Sequence, residues 1–400
     1  MEVQKLRQEV KLLVDFGNSE TRAVIIDSKS NKPILTDTGS EIHTFRNTYA
    51  ELPAGYRVDR SYLNGDTTLF LIDGVCMVNG ELVDIEFSKE AYKPAGFTGK
   101  SNQPTTLYTL NLLLIKAIEK LSNIRGIDPQ DVEWSFKVAV LLPPFEEGEH
   151  SADMKNLIKG IKSVVMLVED EQAEEVGFKE VNIPVQFETI KVQPEGIIAY
   201  TTAITQVKDG KLIYIEENKK FLTGYVMVID IGAGTTDFAL INNMRYVNQS
   251  KETISTGGNF VAAECSRAIK AKYSISVEPS SMQRVMESGE VIQGNEKIDV
   301  SDILTTAKKK YAKTLVYELK NNYFVRNIPI SNIKGILLVG GGTLPAIREG
   351  KEVSPPMSKA ILEEFKQYCP SVELLSLHSV NPREANIVGL QIMSKLQGMM

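Results

Sequence analysis

Two short segments of the chain combine an aspartate with glycines at a spacing suited to binding phosphate. Residues 15–21 read DFGNSET and residues 230–237 read DIGAGTTD, and each segment follows an apolar run typical of a buried strand. Glycines let the backbone approach a phosphate closely, so that peptide N–H groups can surround its oxygens. An aspartate at the end of each strand could hold Mg²⁺ through water. The pair predicts two phosphate-binding turns, each headed by a carboxylate.

Both turns are predicted to be hairpins and not helix-opening phosphate loops. Apolar alternation resumes after each turn, at residues 23–26 and 238–241, where a Walker or dinucleotide motif would begin a helix. A glycine hairpin after a buried strand is also an ordinary turn that needs no ligand. The prediction of phosphate binding therefore depends on the same strand, aspartate and glycine turn occurring twice, and neither segment would support it alone.

Three further segments complete a pattern along the chain. Residues 192–200 read VQPEGIIAY, residues 336–343 read ILLVGGGT, and residues 381–390 read NPREANIVGL. The triple glycine ends an apolar run, and Pro345 after it suits the first turn of a helix. Residues 15–21 and 230–237 resemble the two phosphate motifs of the actin, sugar-kinase and heat-shock-chaperone ATPase superfamily. Residues 192–200 and 381–390 resemble its two linking helices, and residues 336–343 resemble its adenosine motif.

Within that superfamily the sequence is most similar to the bacterial plasmid-segregation actins of the ParM and Alp type. Residues 138–144, VAVLLPP, and 254–260, ISTGGNF, also resemble segments of those proteins. The likeness spans nearly the whole chain. It departs from the pattern in about ten extra N-terminal residues, in residues 36–100 and in a longer region over residues 163–191.

The resemblance implies an α/β chain with the actin-like fold, in which two related α/β lobes have a nucleotide cleft between them. Domain I would comprise residues 1–197 and 376–400, with a small variable subdomain at about 36–100, and domain II would comprise residues 198–375. Apolar residues at 3.6-residue spacing predict a helix over residues 105–121 of domain I. A second helix, over residues 259–272, would turn Phe260, Ala263 and Ala268 inward.

The same resemblance implies roles for named residues. The nucleotide would be bound by residues of both hairpins and of the triple-glycine turn, namely Asp15, Gly17, Asn18, Ser19, Asp230, Gly232, Gly234, Thr235, Thr236, Gly340, Gly341 and Gly342. Asp15 and Asp230 would hold Mg²⁺ through water. The catalytic group would be Glu195, orienting the water that attacks the γ-phosphate, with assistance from Gln193 and with Asp237 positioning water or bracing its hairpin.

Structural roles are open for several of these residues. A strand-end aspartate can cap a local turn, and Glu195 can be an early-turn glutamate favoured by the helix dipole. The basic run at residues 308–310 borders the adenosine region in relatives. Such a run is more typical of a solvated helix face, and it is left outside the predicted site.

The implied function is that of an actin-like ATPase that binds and hydrolyses Mg²⁺-ATP, with GTP as the alternative nucleotide. It would polymerise into dynamic filaments that segregate plasmid DNA through a DNA-binding adaptor protein. A small-molecule kinase, a chaperone-like ATPase and a cell-shape bacterial actin share the fold and stay as alternatives. A kinase would need a substrate pocket and a catalytic aspartate in domain I, and no polar constellation beyond Glu195 indicates one.

Composition limits the partners and the compartment. Of 400 residues, 42% are hydrophobic and 24% are charged, which is ordinary for a globular protein. A net charge of −6 argues against broad direct contact with nucleic acid. Three widely spaced cysteines form neither a disulfide framework nor a zinc spacing, and they suit a reducing cytosol. No apolar stretch approaches the ~20 residues of a membrane span, and residues 1–10 predict a short tail, not a membrane-bound helix.

Overall fold

The computed structural model describes residues 6–56, 58, 62, 67–94, 99–170, 177–247, 250–277, 279–324, 326 and 328–396. Packing divides the chain into two compact units. The first comprises residues 1–142, 146–194 and 393–400, and the second comprises residues 143–145 and 195–392. The domain limits taken from the resemblance, at 197 and 376, stay predictions.

The first unit is built on a large mixed sheet. Its elements are β1 (Leu6–Phe16), β2 (Glu20–Asp27), β3 (Lys32–Pro33), β4 (His43–Arg46), β5 (Tyr49–Glu51), β6 (Thr68–Ile72), β7 (Val75–Asn79), α1 (Glu81–Glu86), α2 (Pro104–Arg125), β8 (Val132–Leu142), α3 (Pro144–Gly160), β9 (Ser163–Asp170) and β10 (Gly177–Pro194). The sheet order is β3-β2-β1-β8-β10-β9-β6-β7-β5, and β4 pairs with β2. Strand β8 lies parallel to both β1 and β10.

The centre of this sheet is buried because its strands are apolar on both faces. Residues 12–14 of β1 and 138–142 of β8 have no exposed surface. Helix α2 packs against the sheet through residues at helical spacing, including Leu110, Leu114 and Ile118, and confirms the predicted helix. Asp15 and Gln193 both pair with Leu141, so three parallel strands end at the same level.

The second unit contains a smaller sheet with helices on both faces. Its elements are α4 (Glu195–Ile204), β11 (Thr205–Lys208), β12 (Lys211–Tyr214), β13 (Tyr225–Ile231), β14 (Thr236–Asn242), β15 (Arg245–Tyr246), β16 (Glu252–Ile254), α5 (Gly258–Tyr273), α6 (Pro279–Ser288), β17 (Glu290–Gln293), β18 (Glu296–Asp299), α7 (Ser301–Glu318), β19 (Ile333–Val339), β20 (Ala346–Arg348), β21 (Lys351–Ser354), α8 (Met357–Lys366), β22 (Glu373–Leu374) and α9 (Ala385–Leu396). The sheet order is β15-β14-β13-β19-β22, and β16 pairs with β14.

Alternation along the strands of the second unit separates two cores. Val226 and Val228 face α4 and the start of α9, in a core that also contains Ala199, Ala203 and Ala385. Met227 and Ile229 face the opposite side, where α5, α7 and α8 complete a larger core. Asp230 continues the series of Val226 and Val228, so its side chain belongs to the face covered by α4 and α9.

Three sequence-based expectations differ from the structure. Pro345 does not begin a helix, because a short 3₁₀ turn over Gly341–Thr343 leads into strand β20. Helix α5 buries Val261, Cys265 and Ile269, and of the residues predicted to face inward Phe260 packs against this core whereas Ala263 is exposed. Residues 6–10 extend strand β1, and the rest of the predicted N-terminal tail, residues 1–5, lies outside the described residues.

None of the described helices is both long enough and apolar enough to cross a membrane.

Candidate functional site

The two aspartate-glycine hairpins have the same register. Phe16 pairs with Thr21 in the first hairpin, and Ile231 pairs with Thr236 in the second, so each loop contains four residues. The N–H of Gly17 donates to the Glu20 carbonyl at 3.1 Å. The N–H of Gly232 donates to the Thr235 carbonyl at 3.0 Å, so in both hairpins the first loop residue donates to the fourth.

The strands around each hairpin repeat as well. The first strand of each hairpin has a parallel neighbour, β8 for β1 and β19 for β13. The second strand of each has a short antiparallel neighbour, β4 for β2 and β16 for β14. The two units therefore contain two copies of one structural module, as the paired sequence segments predicted.

Most of the loop carbonyl groups in both hairpins accept hydrogen bonds from the protein itself. In the first hairpin, the side-chain amide of Asn47 donates to the Gly17 carbonyl, and the backbone N–H of Asn47 donates to the Ser19 carbonyl at 3.0 Å. In the second hairpin, the first N–H groups of α5 do the same. Gly258 donates to Gly232 at 2.8 Å, and Asn259 donates to the Ala233 carbonyl at 2.7 Å.

The N–H groups of the two middle residues of each loop have no such partners among the described residues. Within the part of the chain that the structure describes, the N–H groups of Asn18, Ser19, Ala233 and Gly234 donate to no acceptor in the protein. Consecutive backbone N–H groups with their carbonyls turned elsewhere form a concave site for an anion. Each hairpin therefore presents donors suited to the oxygens of a phosphate.

The residues opposite the two aspartates are different in the two modules. Asp15 pairs across the hairpin with Arg22, whereas Asp230 pairs with Asp237. Residues directly opposite in an antiparallel pair point to the same face with Cβ atoms about 5 Å apart, and like charges there destabilise the sheet. The second hairpin thus places two carboxylates side by side, an arrangement that a cation would stabilise.

Both carboxylates of the second hairpin are held by neutral donors. The side-chain amide of Asn386, at the start of α9, donates through Nδ2 to Oδ2 of Asp230 at 2.8 Å. The Thr253 hydroxyl on β16 donates to Oδ1 of Asp237 at 2.5 Å. Neither of these two donors supplies positive charge to the carboxylates.

Glu195 is the first residue of α4, and its side chain is only 5% exposed. The next residue, Gly196, lies so close to β14 that an added Cβ would be 2.8 Å from Cβ of Ala239. Ala239 and Asp237 share one face of β14, because they are two residues apart on the strand. The start of α4 therefore lies over the same face of the sheet as Asp230 and Asp237.

The triple-glycine turn lies directly against the end of β13. An added Cβ on Gly340 would be 2.4 Å from the Ile231 carbonyl oxygen and 2.5 Å from Oδ1 of Asp230. The N–H of Gly340 donates to the carbonyl of Pro382 at 3.0 Å, which joins the turn to the segment before α9. The turn, Asp230 and the start of α9 are thus contiguous.

Lys308 corrects the prediction that residues 308–310 form a solvated helix face. Lys309 and Lys310 are exposed, but Lys308 is 2% exposed and donates through Nζ to the carbonyls of Leu344, at 3.2 Å, and Pro355, at 2.9 Å. Burial lowers the pKa of the Lys308 ammonium to about 8. Leu344 follows the triple glycine, so Lys308 braces this turn from the core.

The donor set of the second unit fits a hydrated Mg²⁺. Among the described residues, no group of three or more histidine, cysteine, aspartate or glutamate side chains is close enough to hold a metal directly. Mg²⁺ usually keeps several waters and takes one or two carboxylates together with phosphate oxygens. Asp230 and Asp237 supply such carboxylates, and Oδ1 of Asn386 beside them is buried without a partner among the described residues.

The predicted site residues divide between the two units. Five of them lie in the first unit, at the carboxyl ends of its central strands or in the turn that follows β1, namely Asp15, Gly17, Asn18, Ser19 and Gln193. The second unit brings together the remaining predicted residues, Glu195, Asp230, Gly232, Gly234, Thr235, Thr236, Asp237, Gly340, Gly341 and Gly342. The hydroxyl of Thr236 is fully buried and donates to the carbonyl of Thr256 at 2.6 Å, so it supports the fold of its hairpin.

Sequence reasoning missed four supporting residues. Asn386 lies within the motif at residues 381–390, where a polar residue at the start of a helix was the available signal. Asn47, Thr253 and Lys308 act on hairpins or turns elsewhere in the chain, and the one local signal among them is the basic run that contains Lys308.

Comparison with known proteins identifies the fold. A family model for the C-terminal part of archaeal MreB-like actin homologues matches residues 228–348. No curated protein sequence matches the chain. Among solved structures, the actin-like protein Alp7A is similar with a TM-score of 0.67 at 16% identity, over 98% of this chain and 97% of that chain. The archaeal actin homologue Ta0583 gives a TM-score of 0.64 at 16% identity, over 96% and 99% of the two chains.

Structures with a ligand or in an assembled state are also similar. Ta0583 in its complex with ADP matches with a TM-score of 0.61 at 16% identity, over 96% of this chain and 99% of that chain. A 15-stranded ParM filament from Clostridium botulinum matches with a TM-score of 0.56 at 15% identity, over 98% and 99% of the two chains. The chain has the actin-like fold, which confirms the predicted fold class and the resemblance to actin-like proteins.

Proposed function

We propose that the protein binds ATP with Mg²⁺ and that its two hairpins bind the phosphate groups. The observation that carries this proposal is the repeated module, in which most loop carbonyls accept hydrogen bonds within the protein while the N–H groups of the two middle loop residues find no acceptor among the described residues. The fold shared with Ta0583 in its complex with ADP supports a nucleotide as the ligand. GTP is the alternative nucleotide.

We assign the cation to Asp230 and Asp15, which would both hold it through water. Asp237 lies beside Asp230 and would add negative charge at the same place. When bound, Mg²⁺ would neutralise negative charge on the phosphates. The N–H groups of Asn18, Ser19, Ala233 and Gly234 would hold phosphate oxygens. Phosphoryl transfer depends mainly on positioning and charge neutralisation, so these groups supply most of what hydrolysis requires.

We assign the orientation of the attacking water to Glu195, with Gln193 and Asp237 as supporting groups. Glu195 begins a helix that packs against the strand of Asp237, and it is held with little exposure. A fixed carboxylate at that position would accept a hydrogen bond from water and direct its lone pair toward the γ-phosphate. The triple-glycine turn would leave room for adenosine against the backbone.

We also propose that the protein polymerises and that ATP hydrolysis controls the lifetime of the polymer. The shared fold with a ParM filament and with Alp7A supports self-assembly. A separate DNA-binding adaptor is the expected link to plasmid DNA, because acidic residues outnumber basic ones and the net charge is −6, which disfavours broad contact with DNA phosphates.

Replacement of Glu195 by Ala tests the proposal, with ATP binding, phosphate release and sedimentation measured in parallel. The variant should bind Mg²⁺-ATP and pellet like the wild type, while hydrolysis slows by roughly 10²-fold or more, as for loss of a positioned acid–base group. Its filaments should persist where wild-type filaments disassemble. Glu216→Ala is a matched control, since the Glu216 side chain is 80% exposed.

Each outcome has a defined meaning. Wild-type protein that fails to bind Mg²⁺-ATP would contradict the nucleotide proposal. Nucleotide binding and a hydrolysis rate strictly linear in protein concentration, with no pelletable polymer, would contradict the filament proposal alone. Normal hydrolysis by Glu195→Ala would assign the water to Gln193 or Asp237, and loss of assembly would make Glu195 a structural residue of α4.

A further inference from the structure

The side-chain amide of Asn386, at the start of α9, is only half satisfied by hydrogen bonds among the described residues. Its side chain is 8% exposed, and its Nδ2 donates to Oδ2 of Asp230 at 2.8 Å. Its Oδ1 is buried and has no hydrogen-bond partner among the described residues. One half of the amide is therefore satisfied by the aspartate, and the other half is an acceptor without a donor.

The orientation of this amide follows from Asp230. An ionised carboxylate only accepts hydrogen bonds, so the NH₂ group of Asn386 must face it and the oxygen must face away. The two terminal atoms of an amide are only about 2.2 Å apart, as its C–O and C–N bond lengths dictate. The unpaired Oδ1 thus lies within a few ångströms of the Asp230 carboxylate, on the face that also carries Asp237.

The helix that carries Asn386 is fixed on both sides of this residue. The hydroxyl of Thr202 donates to the carbonyl of Ala385 at 2.6 Å, and the N–H of Gly340 donates to the carbonyl of Pro382 at 3.0 Å. Gly389, one turn further along α9, packs directly against the backbone of Ile198. The amide is therefore held in place by the fold and cannot easily turn to find another donor.

An unpaired acceptor beside two carboxylates selects a ligand that brings donors and positive charge. A hydrated divalent cation does both, because its bound waters donate hydrogen bonds strongly. A structural role alone would need only the donor half of the amide, and it would leave the buried oxygen at a cost in stability.

We infer that Asn386 is a positioning residue for the divalent cation, which fixes the Asp230 carboxylate through Nδ2 and accepts a hydrogen bond from a cation-bound water through Oδ1. This inference rests on the proposed binding of Mg²⁺-nucleotide. It adds a group from α9 to the carboxylates of the hairpin, and it predicts a defect in cation dependence and not in nucleotide recognition.

The test is the Mg²⁺ concentration that gives half-maximal binding of a fluorescent ATP analogue at fixed protein concentration. Asn386→Ala should raise that concentration by about 10-fold or more, the scale for groups that orient metal ligands. Affinity for the same analogue in EDTA should change by less than about 2-fold, because Asn386 is assigned no phosphate contact.

Asn218→Ala is the matched control for the loss of a buried amide. Asn218 is 2% exposed and donates to the carbonyls of Ala203 and Ser376, in the same unit but without a carboxylate partner. It should lower the melting temperature and leave the Mg²⁺ requirement unchanged. Equal shifts in the Mg²⁺ requirement for both variants would show a general structural effect and overturn the inference.

Asn386→Asp keeps the shape of the side chain and covers the case in which Asn386→Ala does not fold. It replaces the donor to Asp230 by a third carboxylate, so the metal-free protein should melt earlier, and Mg²⁺ alone should raise its melting temperature more than that of the wild type. A response to Mg²⁺ no larger than that of the wild type contradicts the inference. Wild-type protein without Mg²⁺-dependent nucleotide binding would instead overturn the proposed function and this inference with it.

Discussion

The triple-glycine turn offers a sharp test because its glycines face different neighbours. Gly340 has φ 88° and ψ 161°, a region that is essentially restricted to glycine. An added Cβ there would be 2.4 Å from the Ile231 carbonyl oxygen and 2.5 Å from Oδ1 of Asp230. Gly341 has no such backbone requirement, and its added Cβ would meet only the flexible Arg383 side chain, nearest at 3.1 Å.

These contacts predict a graded series of alanine variants. Gly340→Ala combines backbone strain of about 1–3 kcal/mol with steric overlap of about 1–3 kcal/mol, which gives a loss of roughly 2–6 kcal/mol in the free energy of unfolding. Gly342→Ala meets Cγ2 of Ile231 at 2.5 Å without a positive φ, so only the steric part applies. Gly341→Ala should cost less than about 1 kcal/mol, since a long side chain can move aside.

Urea unfolding of the three variants measures the series, and titration with Mg²⁺-ATP measures its effect on the proposed site. Gly340→Ala should also weaken Mg²⁺-ATP binding, because its Cβ displaces the carboxylate of Asp230. Gly341→Ala should leave the Mg²⁺ concentration required for binding unchanged, because the atoms nearest its added Cβ belong to Arg383 and not to Asp230. Equal stability of the Gly340 and Gly341 variants would refute the reasoning, as would normal Mg²⁺-ATP binding by a destabilised Gly340→Ala protein.

Two further predictions concern groups packed around the same turn and helix. The pKa of Lys308 is lowered from 10.5 to about 8, so the unfolded chain binds the proton more tightly in that interval and stability rises with pH. Between about pH 7 and about pH 9.5 the wild type should gain about 2 kcal/mol of unfolding free energy relative to Lys308→Met, and urea unfolding at both pH values that shows no relative gain would contradict the assignment. Gly389→Ala would place a Cβ 2.2 Å from the Ile198 carbonyl oxygen, and it should lower the free energy of unfolding by about 1–3 kcal/mol or more. Gly160→Ala, with open space around its Cβ, is the control, and equal melting of these two glycine variants would mean that α4 and α9 do not pack so closely.

Much of the fold followed from local sequence patterns. Near-continuous apolar runs at residues 11–14 and 225–229 predicted strands buried on both faces, and both runs lie inside strands of the two sheets. The renewed apolar alternation after each glycine turn distinguished a hairpin from a phosphate loop, because a helix would need a different period. Apolar spacing of 3.6 residues likewise located α2.

The remaining features depend on contacts between distant parts of the chain. Pro345 suited a helix start by its fixed φ, yet the carbonyl of the preceding Leu344 accepts from the ammonium of Lys308 and the chain continues as a strand. The inward face of α5 was misjudged at Ala263, because a small residue fits either face, whereas Val261 and Cys265 meet the larger core. The partner of Asp230 was equally hidden, since Asn386 is 156 positions away.

The two hairpin modules repeat in register but not in charge, and this difference bears on where a cation would bind. Asp15 is opposite Arg22, whose guanidinium is ion-paired with Glu20 at 2.7 Å, whereas Asp230 is opposite a second carboxylate, Asp237, and accepts a hydrogen bond from the neutral amide of Asn386. Two carboxylates directly opposite each other on paired strands repel each other, and a divalent cation removes that repulsion. We therefore propose that the second module provides the principal cation site, and that Asp15 contributes through water while its hairpin mainly holds phosphate. On this argument Asp230→Ala should cost far more Mg²⁺ affinity than Asp15→Ala, and equal losses would mean that the modules share the cation evenly.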